Sequence, residues 1–156
     1  MSNPKPQRES KSVSTVEWYD FVGQLSDLIP DIHPGGSEAT DALLELCGLS
    51  SESRVLDVGC GSGTTAFQIA ERYGARVTGI DISEVMIFQA RKRAEQLDVI
   101  DLVEFRVADV FSLPFDDESF TSVIFQSVLI ALDKNIELAM AEMRRVLTQG
   151  GIICAN

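Results

Sequence analysis

The chain has 156 residues, of which 45% are hydrophobic and 24% charged, as is typical of one globular domain with its own core. A formal net charge of −11 argues against a protein that binds nucleic acid by neutralising phosphates. The sequence contains no apolar run near the roughly 20 residues that span a bilayer, and its polar N-terminus lacks a secretory signal, so we expect a cytoplasmic protein without a membrane partner.

The first 50 residues predict a tail and a helical lid or cap. Residues 1–13 are polar and predict a disordered tail. In residues 14–29, apolar side chains recur at three- and four-residue steps, which predicts a helix with one apolar stripe. Trp18 and Tyr19 could instead belong to a lid over a site, but their helical spacing favours core packing. The stripe consists of Trp18, Phe21, Val22, Leu25, Leu28 and Ile29.

A second helix is predicted from Ser37, as its N-cap, to about Cys47, with Gly48 after its end. The three cysteines, Cys47, Cys60 and Cys154, are an odd number, lie far apart and form no Cys-x-x-Cys pair. We therefore expect no disulfide and no metal centre, and each cysteine should be a small buried apolar side chain.

From residue 51 to residue 156, strands and helices alternate strictly, and we predict one core domain over this range. Short connections require parallel strands with right-handed crossovers, so the predicted fold class is α/β, with a doubly wound, mostly parallel sheet. Ligands bind such sheets beyond the carboxyl ends of the strands, where the winding reverses. The predicted strands are residues 54–58, 77–81, 102–107, 120–125 and 151–154, and the predicted helices are residues 64–73, 83–97 and 135–147.

Three glycines follow the first predicted strand at alternate positions: Gly59, Gly61 and Gly63. The dinucleotide fingerprint G-x-G-x-x-G would place its third glycine at Thr64, one residue later. Asp57 precedes the loop, and a carboxylate there would repel a pyrophosphate but suit an ammonium group. The loop therefore favours a ligand with a cationic group over a dinucleotide.

Residues 55–63 resemble the first motif of class I S-adenosylmethionine-dependent methyltransferases. The resemblance implies a Rossmann-like core in which Asp57, Gly59, Gly61 and Gly63 hold the methionyl part of the cofactor, with Cys60 among the binding residues. It also implies that Asp81, roughly 20 residues further on, accepts both ribose hydroxyls. The alternative for Asp81 is an N-cap of the next helix, a role that Ser83 could equally fill.

Two later segments, residues 107–120 and residues 144–151, add to the resemblance, which covers about residues 33–156 in all; the second matches the usual approach to strand five. Residues 107–120 are similar to the branch that includes the ubiquinone/menaquinone methyltransferases, in which an Asp meets the adenine amino group. By this resemblance the adenine would lie against Ile82, Asp109 and Val110, and Gln126 would complete the cofactor site at the end of strand four. Thr121 departs from that branch, which usually has Asp at this position to support the start of the strand.

His33 is the only histidine of the chain and lies in a segment rich in Pro and Gly, followed by Thr40. This segment resembles the N-terminal entrance of some of these methyltransferases, where it lies over the cofactor or the substrate mouth. A plain turn between two helices explains the same residues equally well. His33 is therefore a weak candidate for a base that accepts a proton from a substrate.

The resemblance implies methyl transfer to a small-molecule acceptor, for which alignment and exclusion of water matter more than a catalytic base. The alternatives are a sensor that binds the cofactor without transferring a methyl group, an inactive fragment and, less favoured, an NAD-dependent oxidoreductase. By comparison with the seven-stranded sheet of the family, we expect the chain to stop near strand five and to lack the last two strands. An uncovered strand with Ile152 and Ile153 predicts a homodimer or aggregation.

The helix after the second strand carries a row of charged side chains, and we expect these to form a solvated face. The row consists of Glu84, Arg91, Lys92, Arg93 and Glu95.

Overall fold

The computed structural model describes residues 14–24, 36–126 and 135–155, which form five helices and five strands. A short 3-10 turn, Ile100–Leu102, leads into the third strand. The helices are α1 Thr15–Gln24, α2 Gly36–Leu46, α3 Thr64–Tyr73, α4 Glu84–Ala94 and α5 Ile136–Val146. The strands are β1 Arg54–Val58, β2 Arg76–Asp81, β3 Val103–Val107, β4 Phe120–Phe125 and β5 Leu147–Ala155.

The five strands form one parallel sheet in the order β3-β2-β1-β4-β5. The chain winds outward from β1 to β3 and then crosses back to β4, so the winding reverses between β1 and β4. Val58 pairs with Ile80 on one side and with Phe125 on the other, which brings the carboxyl ends of three strands to one edge. The predicted doubly wound α/β fold is confirmed.

Apolar side chains cover both faces of the sheet, as a parallel sheet requires. Val55 and its neighbour Leu56 point to opposite faces because successive strand residues alternate, and both are fully buried. The first face packs against α2, α3 and α4 through residues such as Leu44 and Ile69. The second packs against α5 through residues such as Met143. The central strands are thus held rigidly at the edge where the site is expected.

Thr121 supports the start of β4 in place of the Asp that the resembling branch has. Its Oγ1 accepts from the backbone N–H of Arg54 at 3.0 Å and donates to the Arg54 carbonyl at 3.2 Å. The Arg54 Nε also donates to the Ser119 carbonyl at 2.8 Å. The hydroxyl therefore joins β4 to β1 by two hydrogen bonds at the amino ends of the strands, far from the predicted site.

Three predicted boundaries are wrong. Helix α2 begins at Gly36, so Ser37 lies in its first turn rather than capping it. Helix α4 ends at Ala94, because the amides of Gln96 and Leu97 bond to carbonyls three residues back instead of four. Strand β5 begins at Leu147, directly after α5, because Leu147 already pairs with Phe120 ahead of a bulge.

Helix α1 exposes two of the three residues of its predicted apolar stripe that the structure describes. Val22 is 9% exposed, but Trp18 and Phe21 are 54% and 53% exposed, with ring centroids 6.2 Å apart. The expected core packing of Trp18 is therefore wrong, because α1 touches the protein along α4 rather than inserting into the core. Asp20 anchors the helix by accepting from Ser83 Oγ at 2.5 Å. The side chain of Tyr19, the tail and residues 25–35 lie outside the described residues.

Cys47 and Cys154 are paired in a disulfide with their Cα atoms 6.4 Å apart, which contradicts the expected absence of disulfides. The bond joins the end of α2 to β5 across 107 residues of sequence. Cysteine spacing could not reveal this pair, because only the packing of α2 on the sheet brings the two residues together. Cys60 is free and buried, as predicted. Within the described ranges, the helices are too short or too polar to cross a membrane.

Candidate cofactor site

The glycine loop after β1 folds back onto the end of β2. The backbone N–H groups of Gly59 and Cys60 donate to the Ile80 carbonyl at 2.8 and 2.9 Å. Gly59, Gly61 and Gly63 have φ values of 71°, 53° and 89°, in the left-handed region that other residues rarely adopt. The loop conformation therefore requires glycine at all three predicted positions.

The glycines differ in what surrounds them. A Cβ at Gly61 would meet no atom within 4 Å, so a ligand can approach the bare backbone there. A Cβ at Gly63 would lie 2.8 Å from Phe105 Cζ and 3.0 Å from the Phe67 ring. Gly63 thus allows α3 to pack closely against β3. The structure gives the last glycine of the motif a packing role and leaves the middle one open to a ligand.

Asp81 connects the glycine loop to α4. Its Oδ2 accepts from the Gly61 N–H at 3.0 Å, and its Oδ1 accepts from the Ser83 N–H at 2.9 Å. Ser83 is the N-cap of α4, since its Oγ accepts from the Met86 N–H at 3.1 Å, so Asp81 is not the cap. A carboxylate has about four acceptor sites, and these two bonds leave capacity for a diol.

Asp57 is a buried carboxyl group directly below the loop. It is 3% exposed, and its Oδ2 has no hydrogen-bond partner among the described residues. Burial, and then the negative charge of Asp81, raise the pKa of Asp57 to about 7. Burial also raises the pKa of Asp81, against the lowering effect of its backbone hydrogen bonds. Two buried acids for which no cationic partner is found within residues 14–24, 36–126 and 135–155 favour a ligand that brings positive charge.

The predicted adenine residues lie next to Asp81. The Ala108 N–H donates to the Asp81 carbonyl at 3.0 Å, so the segment after β3 runs beside the end of β2. Asp109 is exposed and its Oδ1 accepts from the Phe111 N–H at 3.0 Å, which fixes the turn. Ile82 is 43% exposed, whereas Val110 is 9% exposed and packs into the core. An exposed apolar side chain and an exposed acid thus lie near the end of β2.

Gln126, at the end of β4, contacts protein side chains at both ends of its amide. Thr65 Oγ1 donates to Gln126 Oε1 at 2.8 Å, and Gln126 Nε2 donates to Thr40 Oγ1 at 3.2 Å. His33 lies outside the described residues, so the structure does not relate it to the site. The structure thus brings the predicted loop, Asp57, Asp81 and Gln126 to one edge of the sheet.

Sequence reasoning missed Arg93, which was expected on a solvated face. Its Nη1 donates to the Ser62 carbonyl at 2.9 Å, to Ser62 Oγ at 2.8 Å and to Thr64 Oγ1 at 3.1 Å. Its guanidinium lies 5.2 Å from the Phe67 ring centroid. Arg93 therefore holds the far side of the glycine loop. Its position among other charged residues in the sequence gave no signal of this contact.

Arg91 is likewise not merely solvated, because its Nε and Nη2 donate to the Phe105 carbonyl at 3.0 and 2.6 Å. Both arginines reach beyond the helix surface because their long apolar stems can cover neighbouring side chains. Glu84, Lys92 and Glu95 are exposed, so the expectation holds for them. Among residues 14–24, 36–126 and 135–155, no group of three or more potential metal ligands is found.

Comparison with known protein families gives one match that covers most of the chain. Residues 49–156 match the model of a family described as "Methyltransferase domain". The chain belongs to this family. The resemblance to class I S-adenosylmethionine-dependent methyltransferases is thereby confirmed.

The curated relatives that carry methyltransferase names include two that match 85% of this chain. One is the ubiquinone/menaquinone biosynthesis C-methyltransferase UbiE of Paracoccus denitrificans, 36% identical over 136 residues, or 85% of this chain and 54% of that protein. The other is the methyltransferase GfsG of Streptomyces halstedii, 36% identical over 134 residues, or 85% of this chain and 47% of that protein. The chain spans about half the length of these relatives.

Solved structures support the fold. Geranyl diphosphate C-methyltransferase of Streptomyces coelicolor, in complex with S-adenosyl-L-homocysteine, has a TM-score of 0.72 and 26% identity, over 76% of this chain and 44% of that one. SpnF, named a [4+2]-cyclase, has a TM-score of 0.76 and 28% identity, over 88% of this chain and 59% of that one. Because the fold is shared with a protein named for another reaction, the function must be argued from the site.

Proposed function

We propose that the chain binds S-adenosylmethionine and that the protein transfers its methyl group to a small-molecule acceptor. The observation that carries the proposal is the pair of buried acids, Asp57 and Asp81, on either side of a glycine loop whose backbone is open at Gly61. A dinucleotide would bring a pyrophosphate next to these acids, whereas this cofactor brings an ammonium and a sulfonium.

In this proposal each part of the cofactor meets a group of matching chemistry. Asp57 and the loop hold the methionyl part, since an ammonium group compensates a buried carboxylate. Asp81 accepts the ribose hydroxyls with its remaining lone pairs. Ile82, Asp109 and Val110 receive the adenine, with an apolar side chain for the ring and an acceptor for its amino group.

The cofactor carries its methyl group on a sulfonium, and the thioether that remains after transfer is a good leaving group. The protein's residues then need only to hold the methyl group in line with the acceptor and to keep water away. We assign no catalytic base, and His33 stays the weak candidate that the sequence indicates. The methyl acceptor is a small molecule in this proposal, as in the named relatives UbiE and geranyl diphosphate C-methyltransferase.

The test is calorimetric titration of the purified chain with S-adenosylmethionine and S-adenosylhomocysteine, with NADH as the control. We expect micromolar binding of the first two and none of NADH. Asp57→Asn and Asp81→Asn are the matched variants, because they remove charge with little change of shape. Binding of NADH alone, or equal binding by both variants and the parent, would reject the proposed site.

An acceptor screen over quinols, amines and arsenicals, with the cofactor bound, separates methyl transfer from a sensor function. A cytoplasmic location and the absence of a nucleic-acid partner are part of the proposal and rest on composition. So is a homodimer, for which Ile152 on the edge strand β5, 37% exposed, is the supporting feature. A monodisperse monomer in light scattering would exclude the dimer.

A further inference from the structure

A continuous set of hydrogen bonds joins helix α2 to helix α3 through Gln126. Gln126 Nε2 donates to Thr40 Oγ1 at 3.2 Å, and Gln126 Oε1 accepts from Thr65 Oγ1 at 2.8 Å. Thr40 is 2% exposed and Thr65 is 9% exposed, so both hydroxyls lie largely out of water. Both ends of the Gln126 amide are therefore engaged by the protein itself.

These bonds lie beside the glycine loop. Phe125 pairs with Val58, so Gln126 follows β4 at the level where Gly59 begins the loop after β1. Thr65 belongs to the first turn of α3, just after the loop ends. The bonds thus bring the first turns of α2 to the two strand ends between which the winding reverses.

Helix α2 is held at two points along its length. Near its C-terminal end, Cys47 is bonded to Cys154 on β5, and Leu44 is fully buried in the core. Near its start, Thr40 Oγ1 accepts from Gln126 Nε2 beside the predicted site and donates to the Gly36 carbonyl at 3.4 Å within the helix. We expect a break in the bond to Gln126 to loosen the end of α2 at the site while the other end stays anchored.

We propose that Gln126 is a positioning residue that couples the docking of α2 to the conformation of the cofactor loop, rather than a direct cofactor contact. The inference rests on the proposed cofactor. Because coupling between two sites is reciprocal, a ligand that orders the loop must also hold α2 more firmly. Loosening α2 at Thr40 must then weaken ligand binding through Gln126.

Two substitutions at Thr40 separate hydrogen bonding from packing. Thr40→Val keeps the shape and removes the hydroxyl, whereas Thr40→Ser keeps the hydroxyl and removes a methyl group. Thr40→Val loses the bond to Gln126 together with the bond to the Gly36 carbonyl, and loss of the first should weaken S-adenosylmethionine binding about fivefold, while Thr40→Ser keeps the hydroxyl and should bind nearly as the parent does. Glu45→Gln, an exposed change on the same helix, is the control. A pure packing role would reverse the order of the two Thr40 variants.

A double-mutant cycle with Gln126→Met tests whether Thr40 acts through Gln126. If both changes break the same link, the combined Thr40→Val and Gln126→Met variant should bind no more weakly than Gln126→Met alone. If the two changes instead weaken S-adenosylmethionine binding by the product of their separate factors, Gln126 contacts the cofactor directly and the inference is overturned. Parent-like binding by Thr40→Val would overturn it as well.

Hydrogen exchange of the α2 amides decides the question even if Thr40→Val does not fold. Saturating S-adenosylmethionine should slow exchange over Gly36–Leu46 in the parent, and Gln126→Met should lose this protection while its cofactor site is still filled. Unchanged exchange in a parent that binds the cofactor overturns this inference and leaves the proposed function intact. A parent that does not bind the cofactor overturns both.

Discussion

Replacing Asp57 by Asn should change how the stability of the chain depends on pH. The side chain is 3% exposed, and burial followed by the charge of Asp81 raises its pKa to about 7. In the unfolded chain, an aspartate has a pKa of about 3.9. Between these values the folded state holds a proton that the unfolded state has released. The stability that this proton contributes is therefore full below about pH 4 and is lost as the pH rises through about 7.

The size of the effect follows from proton linkage. One proton of difference between the two states changes the free energy of unfolding by about 1.4 kcal/mol for each pH unit. Between pH 5 and pH 7 the loss is on the order of 3 kcal/mol, which is a large part of the total stability of a domain of this size. Measurements should begin at pH 5, because the isoelectric point is about 4.4 and solubility falls there.

The assay is urea unfolding followed by circular dichroism at pH 5, 6, 7 and 8, for the parent and Asp57→Asn. The difference between their free energies of unfolding at each pH cancels the contribution of the titrating groups that the two proteins share. We expect the parent to lose stability relative to the variant as the pH rises, by roughly 3 kcal/mol up to pH 7. Asp98→Asn, a change at an exposed position, should follow the parent at every pH.

A difference that does not vary with pH would mean that Asp57 titrates as an ordinary exposed acid. The electrostatic argument for a cationic ligand would then fail, whatever the fold. If the difference does vary with pH as expected, Asp57 is protonated at pH 6 in the unliganded protein. A ligand that places an ammonium group beside Asp57 should then release this proton, and calorimetry in buffers of different ionisation enthalpy would detect the release.

Three further variants test other parts of the site. Asp81→Ala should bind S-adenosylmethionine at least about tenfold more weakly, since it removes two hydrogen bonds to a charged acceptor, and parent-like affinity would defeat the ribose assignment. Arg93→Met should also weaken binding about tenfold, because it frees the glycine loop, whereas the exposed Lys92→Met should not; equal effects of the two would point to net charge instead. Gly79→Ala would place a Cβ 2.7 Å from Phe105 Cδ1 and should lower the free energy of unfolding by about 1–3 kcal/mol in urea titrations, and an unchanged midpoint would contradict this packing.

The sequence alone determined the fold class and the position of the glycine loop. Strict alternation of strands and helices with short connections predicts parallel strands joined by right-handed crossovers, because crossover handedness is fixed by local chain geometry, and the structure then gives the strand order. The glycine loop and the acids at positions 57 and 81 could also be predicted from the sequence. The left-handed φ values of the loop and the position of a residue at the end of a strand both depend on nearby residues.

Only the tertiary structure decided the contacts that join distant segments. The Cys47–Cys154 disulfide, the link from Thr40 to Gln126 and the reach of Arg93 to the loop connect residues that are 29 to 107 positions apart. The exposure of Trp18 was decided in the same way, because a helical stripe predicts an apolar face but not which surface, if any, covers it. Such contacts depend on how whole elements pack, and no local pattern of residues records that.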